Sequence, residues 1–194
     1  MIDALLAAVA PSRAAALASS LRAHYASDGA ILAADPLALR GLGLRPREVS
    51  AIRAAHELSV AVALETLRDK PLLTSWDKVV AFLRTLAGHN TTESVIVIYT
   101  DAAHRLLTYE TVAAGTVNHA PLYVREVAKR ALLRDAAAII LAHNHPSGDV
   151  TPSRADIDMT REVDRALKPL DVRLLDHIII SPSSHASLRA CGHF

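Results

Sequence analysis

The stretch "AAAIILAHNHPSGDVTPSRAD", Ala136 to Asp156, decides how this chain is read. "AAAIILAH" is a short apolar run rich in isoleucine, which predicts a buried strand. It ends directly in His143 and His145, two positions apart. In extended backbone, side chains at i and i+2 project to the same side, so both imidazoles can reach one ion. A turn with Pro146, Gly148 and Pro152 follows, and a helix from about Ser153 to Leu167 carries Met159, Val163, Ala166 and Leu170 in step.

Two chemistries fit these residues. His143, His145 and Asp156 are three protein ligands, the number that suits a catalytic zinc with its fourth position left for water. Equally, "SRAD", Ser153 to Asp156, fits the S-x-x-D pattern in which the two side chains cap a helix N-terminus, with "PSGD" a plain turn. Either reading is open from the residues alone.

Outward from that stretch the pattern is α/β. "ESVIVIYTD", Glu93 to Asp101, is dense in β-branched residues and predicts a buried strand. "RLLTYETVAAG", Arg105 to Gly115, predicts its partner across a turn at Asp101–His104. "PLYVREVAKRALLRD" reads as an amphipathic helix with Pro121 at its start, and "VRLLDHIIIS" as a closing strand. The first 88 residues are helical in pattern, and the opening "MIDALLAAVAPSRAAALASS", Met1 to Ser20, reads as an amphipathic Ala/Leu helix. A short helix ends at Gly41-Leu42-Gly43 and a longer one starts near Pro46, an arrangement like a helix-hairpin-helix, in which a glycine turn offers N–H groups to a DNA phosphate. A plain helical hairpin reads the same way. "SWDKVVAFLRTLAG" predicts another helix, ending at Gly88. The expected division is a helical domain over 1–88 and an α/β domain over 89–194, broken in "AGHNTT".

Composition narrows the classes. The chain has 194 residues, 51% hydrophobic and 21% charged, enough apolar material for a packed core. Residues 1–88 carry ten Lys/Arg against eight Asp/Glu, and residues 89–194 eleven against twelve. Neither balance announces a nucleic-acid binder, although Arg40, Arg45, Arg47 and Arg53 could form a local patch. Aromatics at 4% leave few stacking platforms for single strands. Cys191 is the sole cysteine, so no internal disulfide forms and a metal must be held by nitrogen and oxygen. It also excludes the zinc set of nucleobase deaminases, which needs a cysteine pair. With no basic leader and no long apolar run, the expectation is a cytoplasmic protein that does not span a membrane.

H-x-H, seven residues, S, two residues, D, at His143, His145, Ser153 and Asp156, is the spacing of the JAMM (MPN/JAB) metalloprotease motif. With "RALLRDAAAIILA" before it and "LLDHIII" after it, the chain resembles the bacterial RadC family. The resemblance is close over residues 93–181 and looser over the glycine hairpin. It implies a JAB/MPN-like, deaminase-like α/β/α sandwich preceded by a small all-helical domain. It also implies a Zn2+ centre on His143, His145 and Asp156, and an upstream glutamate as general base, the place Glu93 occupies; Glu110 and Glu126 are the other candidates.

In that scheme Ser153 donates a hydrogen bond to a developing oxyanion, a role worth roughly 3–4 kcal/mol for one donor. Asn144, Asp149, Asp158 and His177 are candidates for supporting bonds. The implied activity is zinc-dependent hydrolysis of peptide or isopeptide bonds, on a protein or peptide substrate. The family also carries a DNA-repair label. The alternatives are therefore a DNA-associated protein, either a binding module or a metal-dependent nuclease, with weak contact through the helical region, and a zinc-binding scaffold without turnover. Pairing of exposed strand edges would make a homodimer.

Overall fold

The computed structural model describes residues 1–68, 70–114 and 122–194. The chain divides into two compact units, Met1–Val62 and Ala63–Phe194.

The first unit is helical: α1 (Ile2–Val9), α2 (Ala14–His24), α3 (Asp28–Leu32), α4 (Pro36–Gly41) and most of α5 (Pro46–Glu65). Its apolar side chains, among them Ile2, Leu6, Leu21, Ile31, Leu39 and Ile52, form one buried cluster. Local chemistry sets the helix starts. Ser27 caps α3 by accepting from the Ala30 amide, and Asp35 caps α4 by accepting from the amides of Leu37 and Ala38, with Pro36 in the first turn. Between α4 and α5 the chain turns at Gly43, whose φ of 89° strains any residue with a Cβ. The side of this turn is already engaged. Arg13 donates to Gly43 O at 2.7 Å and to Glu48 Oε1 at 2.9 Å, while Glu48 Oε2 accepts from the Arg45 amide at 2.7 Å.

The second unit holds α6 (Trp76–Ala87), β1 (Ser94–Thr100), β2 (Leu106–Ala114), α7 (Val124–Leu133), β3 (Ala138–Asn144), α8 (Arg154–Leu167), β4 (Arg173–Ile180) and β5 (His185–Ser187). Strand order in the sheet is β2-β1-β3-β4-β5. All neighbours are antiparallel except β3 and β4, which are parallel and joined by the crossover through α8. Every residue of β1 and β3 is buried, as expected of central strands covered on both faces. On one face, Val95, Val97, Ile139 and Leu141 pack with Val127 of α7 and Val163 of α8. On the other, α6 lies against β3 and β4, and its Phe82 ring meets Tyr109 edge-on at 5.0 Å. Truncating Phe82 to alanine would cost about 3–5 kcal/mol. Helices on both faces of a mixed sheet make the expected α/β/α sandwich.

Three expectations need adjustment. The division falls at Val62/Ala63 rather than at 88/89, because the apolar face of α6 is used against the sheet and α6 therefore belongs to the second unit. The opening Ala/Leu segment is two helices, α1 and α2, parted at Ala10–Arg13 where Pro11 interrupts the pattern. A three-residue strand, β5, closes the sheet; "HAS" is too short to carry a periodic signal. The expected residues Gly115 and Pro121 lie outside the described residues. No helix among the described residues is long and apolar enough to cross a membrane.

Candidate metal centre

Strand register brings the centre together. His143 sits opposite Val95 of β1 and Ile179 of β4, near the end of β3, and its side chain points to the α8 face that Ile139 and Leu141 also occupy. The His145 amide donates to Ile180 O at 2.9 Å, which carries the ladder one position further. Two residues apart in extended backbone, the two imidazoles share a side. The chain then turns, closed by the Gly148 amide on His145 O at 3.1 Å, with Gly148 at φ 87°. It enters α8 at Ser153. That residue and Asp156 form a full capping box, so the helix start is locked where Asp156 faces the histidines.

Three ligand atoms converge. His143 Nε2 and His145 Nε2 are 2.9 Å apart, and Asp156 Oδ1 lies 3.3 Å from His143 Nε2. The three groups lie within 4.8 Å of one another and could hold a metal ion. Two nitrogens on one tetrahedral zinc stand about 3.3 Å apart, close to this spacing. The outer nitrogens of both rings are already in use. His145 Nδ1 donates to Asp149 O at 2.6 Å, and His143 Nδ1 meets His177 Nε2 at 2.8 Å. A carbonyl oxygen can only accept, so the proton of neutral His145 is on Nδ1 and its Nε2 lone pair faces His143. Two ring nitrogens this close need a hydrogen or a metal ion between them.

Electrostatics agree with that requirement. Burial lowers the His143 imidazole to about 4, so it is neutral at pH 7. His145 is raised, first by its hydrogen bond with Asp156 and further by the Asp149 carbonyl and the Glu93 carboxylate. Burial alone would raise the Asp156 carboxyl, yet hydrogen bonds from His145 and from the Ser153 hydroxyl and amide hold it well below the usual carboxylate range. An ionised carboxylate beside two imidazoles is the donor set that zinc takes.

Residues 73–193 match the RadC-like JAB domain family, and these include every residue of the centre. The chain belongs to the RadC-like JAB domain family. It is similar to a UPF0758 protein of Leptothrix cholodnii, 41% identical over 177 residues that cover 91% of this chain and 80% of that one. A UPF0758 protein of Rhodobacter capsulatus is 39% identical over 177 residues, 91% of this chain and 83% of its own.

Within this JAB domain the other candidates separate. Glu93 is half-buried and stands two residues before Val95, the residue opposite His143, so it shares the centre's end of the sheet. Its carboxylate is near enough to act on His145. Glu110 is elsewhere: it pairs with Arg130 and Arg134 of the α7 region. Glu126 is a half-buried partner of Arg125, and Asp158 an exposed partner of Arg154. Asp149 serves through its backbone carbonyl, its carboxylate being turned back to the Thr151 amide.

Asn144, between the two histidines, points away from them. Its Oδ1 accepts from the Ser94 amide at 2.8 Å and its Nδ2 donates to Asn90 O and Thr92 O, which clamps the segment leading to Glu93. Ser153 Oγ donates to Asp156 Oδ2 at 2.5 Å.

Thr160 was not anticipated. It is buried on α8, four residues after Asp156, and contacts His177 Nδ1 at 2.6 Å. The i, i+4 spacing from Asp156 was the available signal.

Proposed function

We propose that this JAB domain is a zinc-dependent hydrolase of amide bonds, peptidase or isopeptidase in type, acting on a protein or peptide substrate. The supporting observation is the convergence of His143 Nε2, His145 Nε2 and Asp156 Oδ1 with a carboxylate, Glu93, close enough to act on His145. Zinc held there supplies Lewis acidity that makes water acidic enough to give hydroxide near pH 7. Glu93 takes the proton from the attacking water and later passes it to the departing amine. Ser153 turns its hydroxyl from Asp156 to the oxyanion that develops on the attacked carbonyl. Asp156 stays ionised throughout, because burial is outweighed by its hydrogen bonds.

The test joins metal content to turnover. Purified wild type should hold about one zinc per chain by plasma mass spectrometry; His145→Ala and Asp156→Ala should lose it, and Glu93→Gln should keep it. Peptide and isopeptide substrates should be cleaved by wild type and not by Glu93→Gln. A protein that takes up no zinc from excess ends the hydrolase reading. Zinc uptake with no hydrolysis on any substrate leaves the scaffold reading in its place.

A DNA-associated role rests on exposed Arg40, Arg45 and Arg47 around the α4–α5 turn. It has less support, since Glu48 already accepts from the Arg45 amide at this turn. It predicts salt-dependent DNA affinity that weakens when Arg45 or Arg47 is replaced.

A further inference from the structure

We propose that His177 and Thr160 are positioning residues that set the ring tautomer of His143, and thereby present its Nε2 as a lone pair to the ion; this rests on reading the centre as a metal site. His177 and Thr160 are both fully buried, so the hydrogen bonds among them are not exchanged with solvent.

The direction of the chain follows from its far end. Thr160 Oγ1 lies 2.5 Å from Asp156 O and 2.6 Å from His177 Nδ1. Two oxygens at that separation repel unless a hydrogen lies between them, and the carbonyl has none to give. The threonine proton is therefore on the Asp156 side, and Oγ1 can only accept from His177. That places the His177 proton on Nδ1 and leaves its Nε2 a bare acceptor. His177 Nε2, 2.8 Å from His143 Nδ1, then takes the proton of that ring. His143 Nε2 is left with its lone pair; without a metal it accepts from His145 Nε2, 2.9 Å away, whose ring then carries a proton on both nitrogens.

The chain also closes on itself. Thr160 bonds the backbone of Asp156, whose carboxylate is another ligand, so one buried run of bonds holds a histidine on the strand and an acid on the helix. Without the Thr160 hydroxyl, His177 has no acceptor for an Nδ1 proton. It would instead carry its proton on Nε2 and donate to His143, which moves the His143 proton onto Nε2 and blocks the ligand position.

The experiment uses the full chain with labelled histidines, metal-free, and reads the His143 tautomer by 15N NMR beside zinc affinity by competition with a chromophoric chelator. Wild type should show the His143 proton on Nδ1. Thr160→Val should shift it toward Nε2 and weaken zinc roughly 10–100-fold. Thr160→Ser should restore both, and His177→Gln, which can offer an amide oxygen to His143, should keep the Nδ1 proton.

A wild-type spectrum with the proton on Nε2 overturns the proposal without any variant. So does a Thr160→Val protein with lowered thermal stability but unchanged tautomer and zinc affinity, the outcome for a merely structural threonine. If wild type shows the Nδ1 proton yet binds no zinc, the hydrogen-bond assignment stands and the metal reading fails.

Discussion

Asp156 Oδ2 accepts from both the amide and the hydroxyl of Ser153, at 2.8 and 2.5 Å, which leaves Oδ1 turned toward His143 Nε2. Capping and ligation are thus not rivals in this chain. The helix cap consumes one carboxylate oxygen and, in doing so, aims the other. Whatever fixes the start of α8 also fixes the carboxylate oxygen that faces the histidines.

Ser153 can be dissected on that basis. Ser153→Ala should cost about 1 kcal/mol in urea denaturation through the lost cap, whereas Ser153→Gly should cost only a few tenths. If Ser153 stabilises an oxyanion, both variants should lose about 100-fold or more in kcat. A glycine variant with wild-type turnover would reduce Ser153 to a cap.

Asn144→Asp should separate the metal from the base. The new side chain keeps an acceptor for the Ser94 amide but loses the donors to Asn90 O and Thr92 O. It should cost roughly 1–3 kcal/mol and loosen the segment before Glu93. Zinc content should stay near one per chain while kcat falls.

The metal-free protein should weaken in mild acid. His143 is lowered to about 4 from 6.5 and His177 is lowered well below its usual value, so between those limits the unfolded chain binds protons that the folded one refuses. Stability present above pH 6.5 is lost as pH falls toward 4, on the order of 3 kcal/mol for His143 alone. His145 is raised, and its contribution runs the other way: present below 6.5 and lost as pH rises through its folded value. Urea midpoints from pH 7.5 to 4.5 should fall, and His143→Gln should flatten the slope.

Zinc should stabilise the fold by mass action. At a free concentration 100 times its Kd the gain is about 2.7 kcal/mol, seen as a rise in Tm that a chelator reverses. His145→Ala should show a Tm indifferent to both zinc and chelator. A wild-type Tm indifferent to both would count against the metal centre.

Glu110→Gln is the control for Glu93→Gln. It removes an ion pair with Arg130 and Arg134 that ties β2 to α7. Stability should fall by about 1 kcal/mol, with zinc content and turnover per folded molecule unchanged. Loss of turnover here would move the base from Glu93 to Glu110.

Much of this was legible in the chain as written. β-branched and apolar runs marked β1, β3 and β4, since central strands covered on both faces are mostly apolar. The spacing of His143, His145, Ser153 and Asp156 marked the centre, because strand parity and helix capping act within a few residues.

What the sequence alone could not determine depends on pairings between distant segments. That α6 packs on the sheet rather than within the helical unit follows from which apolar face fits which, not from α6 itself. That His177 serves His143 follows from β4 running parallel to β3 with His177 opposite Leu141, a register no local pattern encodes. Thr160 enters only because the crossover helix lays it over that strand. Side-chain type and short spacing decided which residues could hold an ion; long-range register decided the direction in which their protons point.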